Sequence, residues 1–247
     1  KKAKVKNEAQ ANEIVSRLSG GVKSGSKPTI NLSEDRDLQP QFVVSKLEKK
    51  EVKKESLPPF TTSKLQQEAS RLLRFSAKKT MATAQKLYEG IELGEEGPVG
   101  LITYMRTDSV RIAEDALKEV RSYIRENYDP PFLPAKARFF KSKGKTQDAH
   151  EAIRPSSMNY NPQKIKHFLS ADQFRLYQLI WNRFVASQMN PALYDQTTVE
   201  VSADFYTFRA QGAILKFPGY TIVYTEGKED KEQNEEMESG KNPCAKA

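Results

Sequence analysis

The chain has 247 residues, with 40 basic and 32 acidic side chains, a formal net charge of +8 and a pI near 9.3. No apolar run approaches the roughly 20 residues that a spanning helix needs, which excludes a membrane protein. Hydrophobic residues make up 37% and aromatic residues 9%, so the chain can bury a core and is not a disordered tail. The single cysteine, Cys244, excludes an internal disulfide and a zinc-binding cysteine cluster.

Charge is unevenly distributed along the chain. Residues 61–190 carry 21 basic and 14 acidic side chains, whereas residues 226–247 carry 4 and 7. The latter stretch has almost no large apolar residue and is predicted to be an acidic tail or linker. Residues 20–41 are rich in Gly, Ser and Pro and are predicted to form a loop or insertion. The basic excess favours nucleic acid as a partner only modestly, because ordinary solubility explains it too.

Apolar residues at a spacing of three or four predict a series of helices. They are expected over residues 7–18, from Thr61 to Leu73, after an N-cap at Ser76, over residues 109–127, and after a capping box formed by Ser170 and Gln173. In the helix from Thr61, the apolar residues at this spacing are Leu65, Ala69, Leu72 and Leu73, which are therefore expected to face the core. The last helix has an aromatic and apolar face that its periodicity assigns to the core rather than to a base-stacking surface: Phe174, Tyr177, Trp181, Phe184 and Val185.

Period-two patterns on both sides of the helical region predict strands. They are expected at residues 42–52, 197–201, 205–209, 213–217 and 220–224. Because strands need partners, the two flanks are expected to form one domain. The predicted fold class is therefore multidomain α+β, in which a mainly helical module is inserted into a β-rich hinge or arch domain.

The predicted domain boundaries follow from this arrangement. Residues 1–57 form the first part of the β-rich domain, residues 58–190 the helical module, residues 191–225 the return strands, and residues 226–247 the tail. The Pro58-Pro59 and Asn190-Pro191 pairs mark predicted hinges, because proline enforces extended backbone at these crossings.

The most informative segment is GLITYMRTDS at residues 100–109. An apolar lead-in ends in a hydroxyl-rich turn, after which a helix is expected to begin at once, and its free N–H groups would attract phosphate. Tyr104 and Arg106 are two residues apart, so on extended backbone they point to the same side. A phenol beside a guanidinium suits phosphoryl transfer, because the phenolate can attack phosphorus while the guanidinium neutralises the non-bridging oxygens. The spacing alone leaves surface packing as the commoner explanation.

The segment resembles the active-site tyrosine motif of type IA DNA topoisomerases. Two further blocks agree with that family in order and spacing, PFTTSKLQQEA at residues 59–69 and QDAHEAIRPS at residues 147–156. The stretch LYQLIW at residues 176–181 is similar to the family as well, and the resemblance covers about residues 42–225. Met105 is typical of the bacterial topoisomerase I branch.

The resemblance implies a role for each matching residue. Tyr104 would be the nucleophile that cuts one DNA strand and holds its 5′ phosphate in a phosphotyrosine bond. Arg106 would contact the scissile phosphate and stabilise the pentacovalent transition state. His150 would lie close to the same phosphates, although a histidine in this context is more often structural when judged from the residues alone. Arg154 would support the DNA backbone or the phosphate pocket.

The implied activity is ATP-independent relaxation of negatively supercoiled DNA. A single strand would be cleaved through the transient 5′-phosphotyrosine, another strand passed, and the break religated. The implied partner is a single-stranded segment of the supercoiled duplex, and the implied location is the cytoplasm, in association with the nucleoid. A non-catalytic single-stranded DNA-binding module on the same scaffold is the alternative function. A purely structural protein would explain the periodicity but not the ordered blocks.

A basic cluster precedes the third block. Residues 136–145, KARFFKSKGK, hold five cations and no acid. A solvated loop and a loop that follows the phosphate backbone with interleaved aromatics explain this composition equally well. In the second interpretation Lys141, Lys143 and Lys145 contact DNA.

The sequence also departs from the family. The resemblance implies a TOPRIM domain that binds Mg²⁺ through an Asp-x-Asp motif and a Glu, and no such motif is found in this sequence. The chain is therefore expected to be the hinge-plus-tyrosine part of a longer enzyme, to bind no metal itself, and to act together with the TOPRIM domain of that enzyme.

We predict that the isolated 247 residues do not relax supercoiled DNA, because the Mg²⁺ and the groups that protonate the leaving oxygen are expected outside this chain. A plasmid relaxation assay resolved on an agarose gel measures this directly. Catalytic turnover by the isolated chain would contradict the prediction.

Overall fold

The structure, a computed structural model, describes residues 8–18, 41–140 and 150–225. The predicted acidic tail, residues 20–40 of the predicted insertion, and the three lysines Lys141, Lys143 and Lys145 lie outside these ranges. The described chain divides into two compact units. The first contains the residues up to Val52 and Tyr194–Lys216, and the second contains Lys53–Leu193 and the residues from Phe217 onward. The domain boundaries inferred from the sequence stay predictions.

The described ranges contain both helices and strands, in keeping with a mixed α and β fold. The α-helices are α1 (Glu8–Leu18), α2 (Thr62–Glu68), α3 (Ala77–Glu89), α4 (Glu114–Asn127) and α5 (Ala171–Ser187). The strands are β1 (Val43–Lys54), β2 (Ile91–Glu92), β3 (Pro98–Val99), β4 (Ala192–Ala203) and β5 (Tyr206–Phe217). A π-helix over Ala69–Leu73 directly follows α2. No helix in these ranges combines the length and the hydrophobicity that crossing a bilayer requires.

The larger sheet has the strand order β1-β4-β5. The turn at Asp204 and Phe205 joins β4 to β5, and Asp204 adopts a φ of +52°, a left-handed conformation that aspartate tolerates better than most residues. The prediction of separate strands at residues 205–209 and 213–217 was wrong, because β5 continues through Gly212. A 12-residue partner in β4 keeps the backbone paired across that glycine.

The strand predicted at residues 220–224 was also wrong. A 3₁₀ turn occupies Gly219–Ile222 instead, and the Tyr220 N–H donates to the Asn190 carbonyl at 2.9 Å. Gly219 has a φ of +49°, and a Cβ there would lie 2.3 Å from the Pro191 carbonyl oxygen. The buried residue Tyr220 therefore belongs to a turn, and the buried residue Tyr224 follows that turn, so neither lies in a strand.

The core of the second unit is built around α5, against which α3 and α4 pack. Tyr177, Trp181, Phe184 and Val185 are all at most 4% exposed, which confirms that they belong to the core. The assignment of Phe174 to the core was wrong, because its ring is only half-buried near the start of the helix, with the Lys166 ammonium 5.1 Å from its centroid. The capping box of Ser170 and Gln173 at the start of α5 is present as predicted.

The helix predicted from Thr61 to Leu73 changes character partway. After Glu68 the α-helix gives way to the π-helix, whose wider turn shifts which residues face the core. Leu65 and Ala69 are fully buried as their spacing predicted, whereas Leu72 is 40% exposed. The assignment of Leu72 to the core was wrong for this reason.

A buried arginine fixes the start of the second unit. Arg183 is 3% exposed, and its guanidinium lies 4.9 Å from the Phe60 ring centroid and 5.0 Å from that of Tyr224. Its Nε donates to the Pro58 carbonyl at 2.7 Å. The Tyr224 hydroxyl donates to Glu68 at 3.1 Å, and burial raises the pKa of Tyr224, which keeps it a neutral donor. These contacts position the beginning of the 59–69 block.

We predict that Gly219→Ala lowers the free energy of unfolding by about 2 to 4 kcal/mol, because a side chain there would combine left-handed strain with overlap onto Pro191. Gly212→Ala is the matched control, since nothing lies within 4 Å of a Cβ at that position. Its effect should stay within about 0.5 kcal/mol. Urea unfolding followed by circular dichroism measures both, and equal losses for the two variants would contradict this account.

Candidate active site

The three blocks that resemble topoisomerase motifs meet in the second unit through backbone hydrogen bonds. The segment 152–156 lies between the other two. On one side the Ile153 N–H donates to the Phe60 carbonyl at 2.8 Å. On the other side the Thr103 N–H donates to the Arg154 carbonyl at 2.9 Å. Segments far apart in sequence therefore form one local framework.

Thr103, which directly precedes Tyr104, is bound to this framework through its side chain as well. Its hydroxyl donates to the Ala152 carbonyl at 2.7 Å and accepts from the Arg154 N–H at 3.0 Å. The backbone on the N-terminal side of Tyr104 is thereby held at several points.

Thr62 holds the other end of the segment. Its hydroxyl donates to the Met105 carbonyl at 2.8 Å and accepts from the Thr107 N–H at 2.8 Å. Its own N–H donates to the Thr107 carbonyl at 2.9 Å. The backbone around Arg106 is thus attached to the first residue of α2.

Exposure alternates along the segment between these attachments. Tyr104 is 46% exposed, and Arg106 and Asp108 are exposed too, whereas Met105 is 5% and Thr107 8% exposed. The buried residues anchor the segment, and the phenol and the guanidinium reach solvent from it. Within the part of the chain that the structure describes, the Arg106 guanidinium forms no hydrogen bond or ion pair.

Tyr88, in the last turn of α3, lies against the candidate nucleophile. The rings of Tyr88 and Tyr104 meet edge to face with centroids 5.4 Å apart and an interplanar angle of 66°. Gly100 lets the chain before the motif pass close to the backbone of Tyr88, because a Cβ there would lie 2.7 Å from the Tyr88 carbonyl oxygen. The Tyr104 ring therefore has a fixed neighbour on one side.

The expectation that a helix begins directly after the motif was wrong. Helix α4 starts only at Glu114, and its N-cap Ala113 forms no side-chain hydrogen bond. Hydroxyls accept the local N–H groups instead: the Ser109 N–H donates to the Thr107 hydroxyl at 3.1 Å, and the Arg111 N–H donates to the Ser109 hydroxyl at 3.1 Å. Such bonds compete with helix formation. The free N–H groups of a helix start are therefore not at the motif, where the sequence analysis expected them to attract phosphate.

The two predicted site residues of the third block differ in their surroundings. His150 is exposed. The side chain of Arg154 is 12% exposed, and its Nη2 and Nε donate to Glu151 at 2.7 and 3.0 Å. Its Nη1 donates to the Pro155 carbonyl at 2.8 Å. These bonds favour support of the pocket over direct contact with DNA as the role of Arg154.

Within the described part of the basic cluster, residues 136–140, the Arg138 side chain is bound to other residues of the protein. Arg138 donates to the Ser56 hydroxyl at 2.9 Å and to the Met189 carbonyl at 3.1 Å, and it pairs with Glu55 at 2.7 Å. It therefore joins residues 55–56 to Met189 within the second unit. Lys136 is exposed.

The described residues do not fit a Mg²⁺ site, because they hold no group of three or more His, Cys, Asp or Glu side chains that could ligate the ion. Sequence reasoning missed Thr62, Thr103 and Tyr88 as parts of the site. Thr62 lies in the 59–69 block and Thr103 in the tyrosine motif. The signal that could have identified them is that N–H and carbonyl groups outside helices and strands need hydrogen-bond partners, which nearby hydroxyls can supply.

We predict that Arg154→Met lowers the free energy of unfolding by about 2 to 3 kcal/mol, because it leaves the half-buried Glu151 without its closest cation. Arg106→Met should change it by less than about 0.5 kcal/mol, because Arg106 is exposed. Urea unfolding of both variants provides the measurement. An unchanged stability in Arg154→Met would contradict a supporting role.

Comparison with known proteins supplies a second line of evidence. A family model described as DNA topoisomerase matches residues 3–246. The full-length topoisomerase I from Thermotoga maritima is similar in structure, with a TM-score of 0.64 and 36% sequence identity. The match covers 76% of this chain and 32% of that protein, so the chain corresponds to about a third of the length of that relative. Together with the ordered motif blocks, these matches show that the chain belongs to the DNA topoisomerase family, in the bacterial type IA branch.

Proposed function

We propose that this chain carries the strand-cleaving tyrosine of a type IA DNA topoisomerase. The observation that carries the proposal is the joint exposure of Tyr104 and Arg106 on a segment whose backbone is attached at both ends to the other two motif blocks. A nucleophile and a cation two residues apart on one anchored, solvent-facing segment are suited to attack on a backbone phosphate.

In the proposed reaction the Tyr104 oxygen forms a bond to phosphorus, and the bond from phosphorus to the 3′ oxygen breaks. The phenol proton passes to a base, and a proton is supplied to the leaving 3′ oxygen. The Arg106 guanidinium neutralises the charge that develops on the non-bridging oxygens. Religation reverses these steps, and because the phosphotyrosine conserves the energy of the broken bond, no ATP is needed.

Other side chains would assist by binding the DNA. His150 is exposed and can donate a hydrogen bond to a phosphate near the scissile bond. Lys141, Lys143 and Lys145 would contact the strand through its phosphates. Arg154 would hold the 152–156 segment in place through Glu151 rather than touch the strand.

The rest of the reaction would require other parts of a longer enzyme. We propose that a TOPRIM domain supplies Mg²⁺ and acts as the partner of this chain during relaxation of negatively supercoiled DNA. The substrate would be a single-stranded segment of the duplex, and the place of action the bacterial cytoplasm, on the nucleoid.

We predict that the chain forms a covalent adduct with a single-stranded oligonucleotide that carries a 3′-bridging phosphorothiolate. The sulfur replaces the 3′ oxygen, so the leaving group is a thiolate that departs without protonation. The test therefore does not depend on a group outside the chain to protonate the leaving atom. Intact-protein mass spectrometry after denaturation measures the adduct.

Tyr104→Phe should form no adduct while it retains binding of the oligonucleotide, which fluorescence anisotropy would show. Tyr194→Phe is a matched control that removes a phenol elsewhere in the chain and should behave as wild type. If the wild-type chain binds the oligonucleotide but never becomes attached, the chain is a non-catalytic single-stranded DNA-binding module instead.

A further inference from the structure

One side-chain oxygen is bonded to the backbone on both sides of Arg106. The Thr62 hydroxyl contacts the Met105 carbonyl and the Thr107 N–H, each at 2.8 Å. We infer that Thr62 is a positioning residue that fixes Arg106 beside Tyr104 for phosphoryl transfer. The inference rests on the proposed function, because it assigns to Thr62 a role in that same reaction.

The hydrogen-bonding capacity of the hydroxyl limits how the bonds can be arranged. A threonine hydroxyl has one proton to donate and two lone pairs that accept. The Met105 carbonyl lies at 2.8 Å and the Thr107 carbonyl at 3.1 Å, so the proton goes to the nearer Met105 oxygen. A lone pair accepts the Thr107 N–H. Serine retains both functions of this oxygen, and valine retains neither.

These two bonds restrict the backbone of Arg106. Both peptide units that flank Arg106 are planar, and each is attached to the same oxygen. Rotation about either backbone dihedral of Arg106 would therefore break one of the two bonds. Since the guanidinium has no partner of its own within the described residues, the backbone is what sets the direction in which its side chain leaves the segment.

The attachment point is itself rigid. Thr62 is the first residue of α2, and the Thr61 side chain caps that helix by accepting from the Lys64 N–H at 3.4 Å. The neighbouring Phe60 is paired with Ile153. Groups carried by helices and supported by a second layer of hydrogen bonds hold reactive side chains more accurately than free loops do.

Removal of the Thr62 hydroxyl should therefore slow chemistry more than it weakens binding. We expect Thr62→Val to lower the rate constant of adduct formation at saturating oligonucleotide by about 10- to 100-fold, the usual effect of a small misplacement of a catalytic group. The dissociation constant of the oligonucleotide should change less than about 2-fold. Thr62→Ser should restore a rate close to that of wild type.

A double variant tests whether Thr62 acts through Arg106. The rate constants of wild type, Thr62→Val, Arg106→Ala and the double variant are measured with the 3′-bridging phosphorothiolate oligonucleotide. If Thr62 positions Arg106, Thr62→Val has no further effect once the guanidinium is gone. A loss in the double variant that equals the product of the two single losses would contradict the inference.

Thr80→Val is the matched control, because Thr80 is fully buried and its hydroxyl donates at 3.0 Å to the carbonyl of Ser76, the N-cap of α3. It should react at the wild-type rate. Thr62→Ala, which removes the hydroxyl without adding a methyl group, takes the place of Thr62→Val if the latter does not fold. Absence of any wild-type adduct would contradict the proposed function itself, whereas a wild-type adduct with an unchanged rate in Thr62→Val would overturn this inference alone.

Discussion

The hydrogen bonds that attach residues 103–107 to the rest of the second unit are the constraint on which the candidate site depends. This segment lies outside helices and sheets, so its backbone groups need partners from elsewhere. Thr103 and Thr62 supply them through their hydroxyls, one on each side of the Tyr104 and Arg106 pair. Because the anchoring oxygens belong to side chains, the segment can be rigid while both functional side chains stay exposed.

This arrangement explains why three blocks separated in sequence act as one unit. The 152–156 segment contacts Phe60 on one side and Thr103 on the other. Arg183 holds the start of the 59–69 block in place, because it donates to the Pro58 carbonyl and packs against the Phe60 ring. A change at any of these positions would be felt at Tyr104 through backbone contacts rather than through direct chemistry.

Much of this could be predicted from the sequence, because the relevant patterns are local. Helical periodicity identified the buried face of α5, and the Ser170 capping box marked its start. The family resemblance was confirmed by comparison with known proteins. The two-residue spacing of Tyr104 and Arg106 agrees with their joint exposure. The catalytic and DNA-binding roles of the site residues stay predictions.

Other features depend on contacts between distant residues, which periodicity does not contain. Leu72 is exposed because it lies in the π-helix. Helix α4 begins only at Glu114, because the Thr107 and Ser109 hydroxyls accept the N–H groups of the residues before it. Residues 219–222 form a turn with a left-handed Gly219 instead of a strand. The Tyr220 N–H donates to the carbonyl of Asn190, a residue far away in the sequence. The role of Thr62 could not be predicted from periodicity either, because its hydrogen-bond partners lie 43 and 45 residues away in the sequence.

The central claim is that one particular phenol becomes attached to DNA, and peptide mapping of the oligonucleotide adduct by tandem mass spectrometry tests it most directly. The chain has 10 tyrosines, and Tyr88 lies in ring contact with Tyr104, so the measurement discriminates between close neighbours. The account predicts that the nucleotide remnant is found on Tyr104 alone. Attachment at Tyr88 or at any other tyrosine would contradict it.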